Sequence, residues 1–274
     1  MKILSSILFI CAFLLMSCEE QPIEIPEFTV TETGKTVLIE ELTGVSCPNC
    51  PKGVVTIESI LALFGENVVT YGVHGAQLTK PKDNSKYDFR NPDAEELEEF
   101  LSPFWGKPAA SINRVFFASE DHATTTSIEL WPEFVRQELE KNQVLDIALD
   151  AEYDENNRTA TINIGVSALS SIPGDLQLHV GVTESHLIDP QDDINTTIQD
   201  FEHNHVLKEL VTQLLGDNIV SNISANQTVN RTYSYTVPEE NNGEWTVENM
   251  EIIAFVTSTE SNGEVLQATS IHIK

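Results

Sequence analysis

Cys47 and Cys50 stand two residues apart, with Pro48 and Asn49 between them. That spacing suits thiol–disulfide exchange, in which one thiolate attacks a partner disulfide and the second thiol resolves the mixed disulfide. The chain holds four cysteines. Cys11 lies inside an N-terminal apolar segment and Cys18 ends it, so processing of that segment leaves Cys47 and Cys50 as the only free thiols. Cys47, near a helix N-terminus, is the candidate nucleophile, because free N–H groups and the helix dipole stabilise a thiolate there. Cys50 is the candidate resolving thiol. The competing reading is a permanent Cys47–Cys50 disulfide closing a tight turn. A metal site is the weaker alternative, since there is no second cysteine pair. Exchange chemistry calls for an exposed Cys47, and a structural bond for a buried one.

The elements that must position this pair are legible on both sides of it. Thr36–Leu42 reads as a strand, and Lys52–Phe64 as a helix with Val54, Val55, Ile57, Ile60, Leu61 and Phe64 on its apolar face. Asn67–His74 is the next strand, 75–90 a long polar loop, and Asp93–Phe100 a short acidic helix. Ala109–Phe117 reads as a strand, and Pro132 opens a helix running to about Lys141. Alternating strands and helices predict an α/β sandwich over residues 35–142. From residue 143 to 274 the pattern becomes period two. Leu145–Tyr153, Thr159–Ala168, Leu176–Thr183, Val229–Val237 and Met250–Ser258 predict an antiparallel β-sandwich, immunoglobulin-like or jelly-roll-like. One inserted helix is expected around His205–Leu215, on the stripe Val206, Leu207, Leu210, Val211 and Leu214.

Residues 1–17 read as an export signal, with Lys2 before an apolar run too short for a membrane span. The run ends Leu15-Met16-Ser17-Cys18, which resembles a bacterial lipobox, so Cys18 is the expected lipidation site and acyl chains the membrane anchor. Residues 18–34 form a polar, Pro-containing tether. Its acidic start, Glu19-Glu20, resembles the surface-export signal of Bacteroidetes lipoproteins, which implies the outer membrane, on its periplasmic or its outer face. The formal net charge is −28, with 43 acidic against 15 basic residues. Such a chain is repelled by nucleic acid and by anionic lipid headgroups, which excludes both as partners. No phosphate loop, Ser/His/Asp order or paired catalytic carboxylates appear in the sequence, and nothing in it calls for a cofactor.

The residues Val37-Leu38-Ile39-Glu40-Glu41-Leu42-Thr43-Gly44, followed by Cys47-Pro48-Asn49-Cys50-Pro51-Lys52-Gly53, carry a resemblance. Gly106-Lys107-Pro108, Asn113-Arg114 and His203-Asn204-His205-Val206-Leu207 extend it. The first half resembles thioredoxin, and the chain beyond the tether is similar to the 28-kilodalton outer-membrane protein family of Bacteroidetes. Ser46 replaces the usual tryptophan, Pro48-Asn49 the usual Gly-Pro, and Pro51 follows the second cysteine. These departures count against thioredoxin's own reducing role.

The resemblance implies further site residues. Glu41 occupies the place of the buried carboxylate that exchanges a proton with the second cysteine, with Glu40 the candidate if the register shifts by one. Pro108 matches a cis-proline facing the cysteines, where backbone groups pair with a substrate strand. Lys107 is a candidate substrate contact beside it, with an ordinary solvated lysine as the competing expectation. His74 is expected as a satisfied strand-end histidine, with a place beside the dithiol as the alternative. His203 and His205, near Asp200 and Glu202, invite a metal reading but lack a further ligand at clear spacing, so no metal is expected. The expected activity is thiol–disulfide exchange on exported or surface proteins. The alternatives are a binding or adhesion lipoprotein with a structural disulfide, and an assembly factor that holds extended segments.

Overall fold

The computed structural model describes residues 34–261 and 263–274. The signal segment, Cys18 and the tether up to residue 33 lie outside the described residues. Strand β1 (Val37–Leu42) is buried along all six of its residues, because both faces are covered. It pairs in parallel with β2 (Val68–Val73) and antiparallel with β3 (Ala109–Ile112), which in turn pairs with the two-residue β4 (Thr124–Thr125). Helix α1 (Cys50–Phe64) and α3 (Trp131–Leu139) cover one face, packing Ile57, Ile60, Trp131 and Phe134 onto Val37 and Ile39. Helix α2 (Pro92–Phe100) covers the other with Ala94 and Leu97 against Leu38 and Leu42. Val55, expected on the apolar face of α1, is instead exposed.

The remaining strands are β5 (Leu145–Asp154), β6 (Thr159–Ala168), β7 (Ile172–Glu184), β8 (Leu187–Asp193), β9 (Thr196–His203), β10 (Val206–Leu210), β11 (Asp217–Ile223), β12 (Thr228–Thr236), β13 (Met250–Ser258) and β14 (Val265–His272). A three-stranded sheet, β12-β6-β5, stacks its inward residues Ile162, Ile164 and Val166 on Leu178, Val180 and Val182 of β7, giving the expected sandwich. One large sheet, in the order β14-β13-β7-β10-β2-β1-β3-β4, runs across the boundary expected near residue 143. The connection is β10, parallel to β2 at Val206↔Gly72 and antiparallel to β7.

Two expectations need correction here. The helix expected around His205–Leu215 is strand β10. Val206, Leu207 and Lys208 are all buried, as a strand in the middle of a sheet requires, and a bulge between Leu207 and Glu209 breaks the alternation that would have marked it. The strand expected over Ala109–Phe117 stops at Ile112, because Asn113 and Arg114 take left-handed backbone angles (φ 49° and 56°) and turn the chain.

Asn113 is fully buried at that turn. Its Oδ1 accepts from the Leu38 N–H at 2.8 Å, its Nδ2 donates to Glu138 of α3, and its carbonyl accepts from Val265 of β14. Asn113→Ala should therefore lower the unfolding free energy by about 1–3 kcal/mol, since the Leu38 N–H loses its acceptor without gaining water. Urea denaturation checks this, and an unchanged midpoint would refute it.

Candidate functional site

Beyond β1 the chain makes a seven-residue connection to α1 that carries Cys47. Cys47 and Cys50 are joined by a disulfide, with their Cα atoms 5.4 Å apart. Pro51 sits in the first turn of α1, where its missing N–H has no intrahelical acceptor to satisfy. Pro48 and Asn49 are exposed, but each cysteine is only 1% exposed. Cys47 is thus not the open nucleophile that exchange calls for. Its cover comes from far along the chain. Gln191 of β8 donates from Nε2 to the Cys47 carbonyl (3.0 Å) and the Gly44 carbonyl (3.2 Å), and the Asp192 N–H donates to the Val45 carbonyl (2.8 Å). Lys82, from the loop over residues 75–90, pairs with the Asp192 carboxylate.

The two neighbouring glutamates of β1 point to opposite faces. Glu40 is fully buried and saturated: Arg114 donates to both of its oxygens (2.7 and 3.0 Å), and the Tyr71 hydroxyl donates to Oε1 (2.6 Å). Arg114 also lies against the Phe100 and Phe255 rings. Glu40 is therefore held in an ion pair away from α1. Glu41 faces the helix. A Cβ on Gly53, one turn beyond Cys50, would lie 2.8 Å from Glu41 Oε1 and 2.9 Å from Pro108 Cβ, so carboxyl, helix and proline meet at a point only glycine leaves open. Glu41 Oε1 has no hydrogen-bond partner. Burial pushes its pKa up to about 8, opposed by the Lys107 charge, so the side chain is a neutral acid at neutral pH.

Lys107 is buried rather than solvated. Its ammonium donates to the carbonyls of Thr43 (2.8 Å) and Gln77 (2.7 Å) and pairs with Glu98 of α2 (2.6 Å). The two hydrogen bonds hold the loops on either side of the site, and the ion pair ties Lys107 to α2. Burial lowers its pKa, and Glu98 and Glu41 oppose that. The Lys107–Pro108 peptide bond is cis.

His74, at the end of β2, is buried against Phe89 (5.0 Å between ring centroids) and His203 (6.1 Å). Burial holds both imidazoles neutral, His74 far below its ordinary range and His203 down to about 4. His205 lies past the end of β9 in a left-handed turn and faces Glu251, so it does not share a face with His203. Asp200 and Glu202 lie on β9, where Glu202 pairs with His186. Among the described residues no group of three His, Cys, Asp or Glu side chains is placed to hold a metal ion. Gln191 and the β8–β9 hairpin are the part that sequence reasoning missed. The inward residues of β8 include Asp189 and Gln191, so alternation of apolar side chains, the usual signal, is absent there.

The family described as outer membrane protein Omp28 matches this chain over residues 103–274. No curated protein matches it. Among solved structures, HBP35 of Porphyromonas gingivalis is similar, with a TM-score of 0.67 at 16% identity, over 87% of this chain and 75% of that one. A domain of the outer membrane lipoprotein Omp28 from Porphyromonas gingivalis matches at 21% identity over 48% of this chain and 88% of that one, with a TM-score of 0.34. A protein of Agrobacterium tumefaciens matches at 11% identity over 87% and 94%, with a TM-score of 0.47. The first of these speaks to the shared fold, and the other two carry no argument.

Protonation of Glu41 gives a pH dependence of known sign. Between its unfolded value near 4.5 and its folded value of about 8, only the folded chain keeps the proton, so stability falls as pH rises. His203 and His74 act oppositely. They are neutral when folded and protonated when unfolded, so their contribution grows with pH up to about 6.5. From about 6.5 to 7.5 Glu41 therefore sets most of the slope, because Lys35, which burial lowers to about 8, loses its proton in the folded chain only toward pH 8 and acts with the opposite sign. There the unfolding free energy should fall by up to about 1.4 kcal/mol per pH unit, and Glu41→Gln should abolish that slope. Denaturation at a series of pH values checks it, and equal slopes in both proteins would contradict the buried-acid assignment.

Proposed function

The chain belongs to the Omp28 family of outer membrane proteins, and we propose that it is a lipid-anchored thiol–disulfide exchange protein acting on exported or surface proteins. In this reading residues 35–142 form a thioredoxin-like half and residues 143–274 a β-sandwich half that covers the reactive pair. Cys18 carries the lipid. The family supports an outer-membrane lipoprotein. The observation that carries the chemistry is Glu41: a buried, unpaired, protonated carboxyl against Gly53, one helical turn from Cys50. A disulfide that only staples a turn has no use for it, and an unpaired buried acid is a cost to stability.

The reaction runs in balanced steps. A thiolate of the substrate attacks Cys47 Sγ, forming a mixed disulfide and breaking the Cys47–Cys50 bond. Cys50 leaves as a thiolate and takes the Glu41 proton. The second substrate thiol then attacks the mixed disulfide, releasing Cys47, so the substrate dithiol is oxidised by two electrons and the Cys47/Cys50 pair reduced by two. An external disulfide restores the oxidised pair. Because the β8–β9 hairpin lies over Cys47, its displacement must precede attack. The β-sandwich thereby gates the dithiol.

The near-complete burial of both cysteines favours a second reading, a structural disulfide in a binding lipoprotein. Trapping separates the two. Cys50→Ser, mixed with a peptide disulfide, should accumulate a stable mixed disulfide through Cys47, whereas Cys47→Ser should form none. Failure of the Cys50→Ser protein to form one would favour the structural reading. Gating makes its own prediction. Gln191→Ala removes the hairpin's bonds to Gly44 and Cys47, each contributing about 0.5–1.5 kcal/mol. Alkylation of Cys47 in the reduced protein should then quicken about five- to 150-fold, and an unchanged rate would refute the gate.

A further inference from the structure

The hairpin does more than cover the dithiol. It closes a cavity of about 50 Å³ between α1, β1, β2 and the β8–β9 hairpin, lined by Glu41, His74, Gln191 and His203 among others. Its outer margin is formed by exposed Glu58 and partly exposed Asn204 and His205. Three of the lining side chains have a buried atom with no partner in the protein: Glu41 Oε1, His74 Nδ1 and His203 Nε2. Their other groups are accounted for. The His203 ring bonds the Asp189 backbone and the His74 ring the Gly72 backbone, which leaves one bare acceptor nitrogen on each. A cavity of this volume has room for about three waters, each wanting two to four polar partners, and although most of the lining is apolar, with Val54, Ile57, Leu61 and Phe201, the side chains of Glu41, His74, Gln191 and His203 supply polar groups. The three orphaned atoms belong to residues that line one cavity.

We infer that this cavity is a hydrated proton path, in which His74 and His203 connect Glu41 to solvent at the Glu58–His205 margin. The inference rests on the exchange reading, for it supplies the step that reading leaves open. Once Cys50 has taken the Glu41 proton, a carboxylate is left in a site closed by the hairpin; the path brings a proton in while the pair is reduced and carries one out when Cys50 gives its proton up on reoxidation. A proton enters at the margin on water. Each imidazole accepts it at the bare nitrogen as a transient imidazolium and returns it to the next water, and the last water protonates Glu41. No bond other than O–H and N–H changes, and the imidazoles end as they began. The groups around Glu41 fit this direction. Lys107 on one side is locked by Glu98, Thr43 and Gln77 and does not deliver a proton without losing its ion pair. The low basicity of both histidines suits transfer rather than storage. They are thus relay residues acting through Glu41, and neither is placed to touch the substrate.

The test does not need turnover. In the oxidised protein below pH 8 the Glu41 acid gives an infrared carboxyl band, identified by its loss in Glu41→Gln, and its rate of deuterium exchange in D2O measures access to solvent. His203→Phe should slow that exchange about 10²-fold, the scale of a lost proton-transfer group, with His74→Phe acting likewise. His203→Gln keeps a polar lining but has no basic nitrogen, and it should be slow too. Fast exchange in a folded His203→Gln protein would overturn the relay and leave hydration alone as the path. Loss of fold in the Phe variants leaves the Gln variant as the deciding one. Histidine-dependent exchange in a protein whose dithiol fails to react would uphold the path while removing the exchange reading.

Discussion

A strand with no exposed face is forced to bury whatever it carries, and β1 carries two adjacent carboxyl groups. Alternation sends them to opposite sides, and the two sides solve the same electrostatic problem differently. Glu40 meets Arg114 and Tyr71 and remains a fully bonded ion pair. Glu41 meets Gly53 and Pro108, has an oxygen with no partner, and keeps its proton. One glutamate therefore holds the sheet to its neighbours, and the other is left as a buried neutral acid against the helix that begins at Cys50. The glycine at residue 53 is what lets α1 approach closely enough for the second arrangement to exist.

The same strand explains why the two halves are one unit. β2, next to β1, accepts β10 as its other neighbour, and β10 hands the sheet on to β7 and β13. That continuation brings the β8–β9 hairpin over the connection between β1 and α1, where Gln191 and Asp192 bond to the backbone of Gly44, Val45 and Cys47. Burial of the dithiol is thus a consequence of long-range pairing. It makes access to Cys47 a property of the whole molecule.

Much of this was legible in the residues. The strand before Cys47, the helix after it and the order of elements to about residue 139 follow from periodicity and capping, and the outer strands of the sandwich from strict alternation. Whether Glu41 or Glu40 faces the helix stayed open, since a shift of one residue exchanges the two faces. What was not legible has a common physical cause, namely that central strands and tertiary cover lack local signatures. β10, buried on both faces and bulged, has the spacing of a helix. β8 turns Asp189 and Gln191 inward, so it shows no apolar alternation. Asn113 and Arg114 end β3 through left-handed angles that β-favouring neighbours conceal. Nothing in the sequence near Cys47 says that residues 191 and 192 will lie on it.

The claim on which the account rests is that the Cys47–Cys50 bond is a working disulfide and not a staple. The reduction potential of the pair, measured by equilibration with glutathione in the chain beginning at residue 19, tests it most directly. The account predicts a value of about −120 to −270 mV, the range of exchange-active dithiols. A value below about −300 mV, where structural disulfides lie, would contradict it and leave Glu41 a buried acid without a reaction.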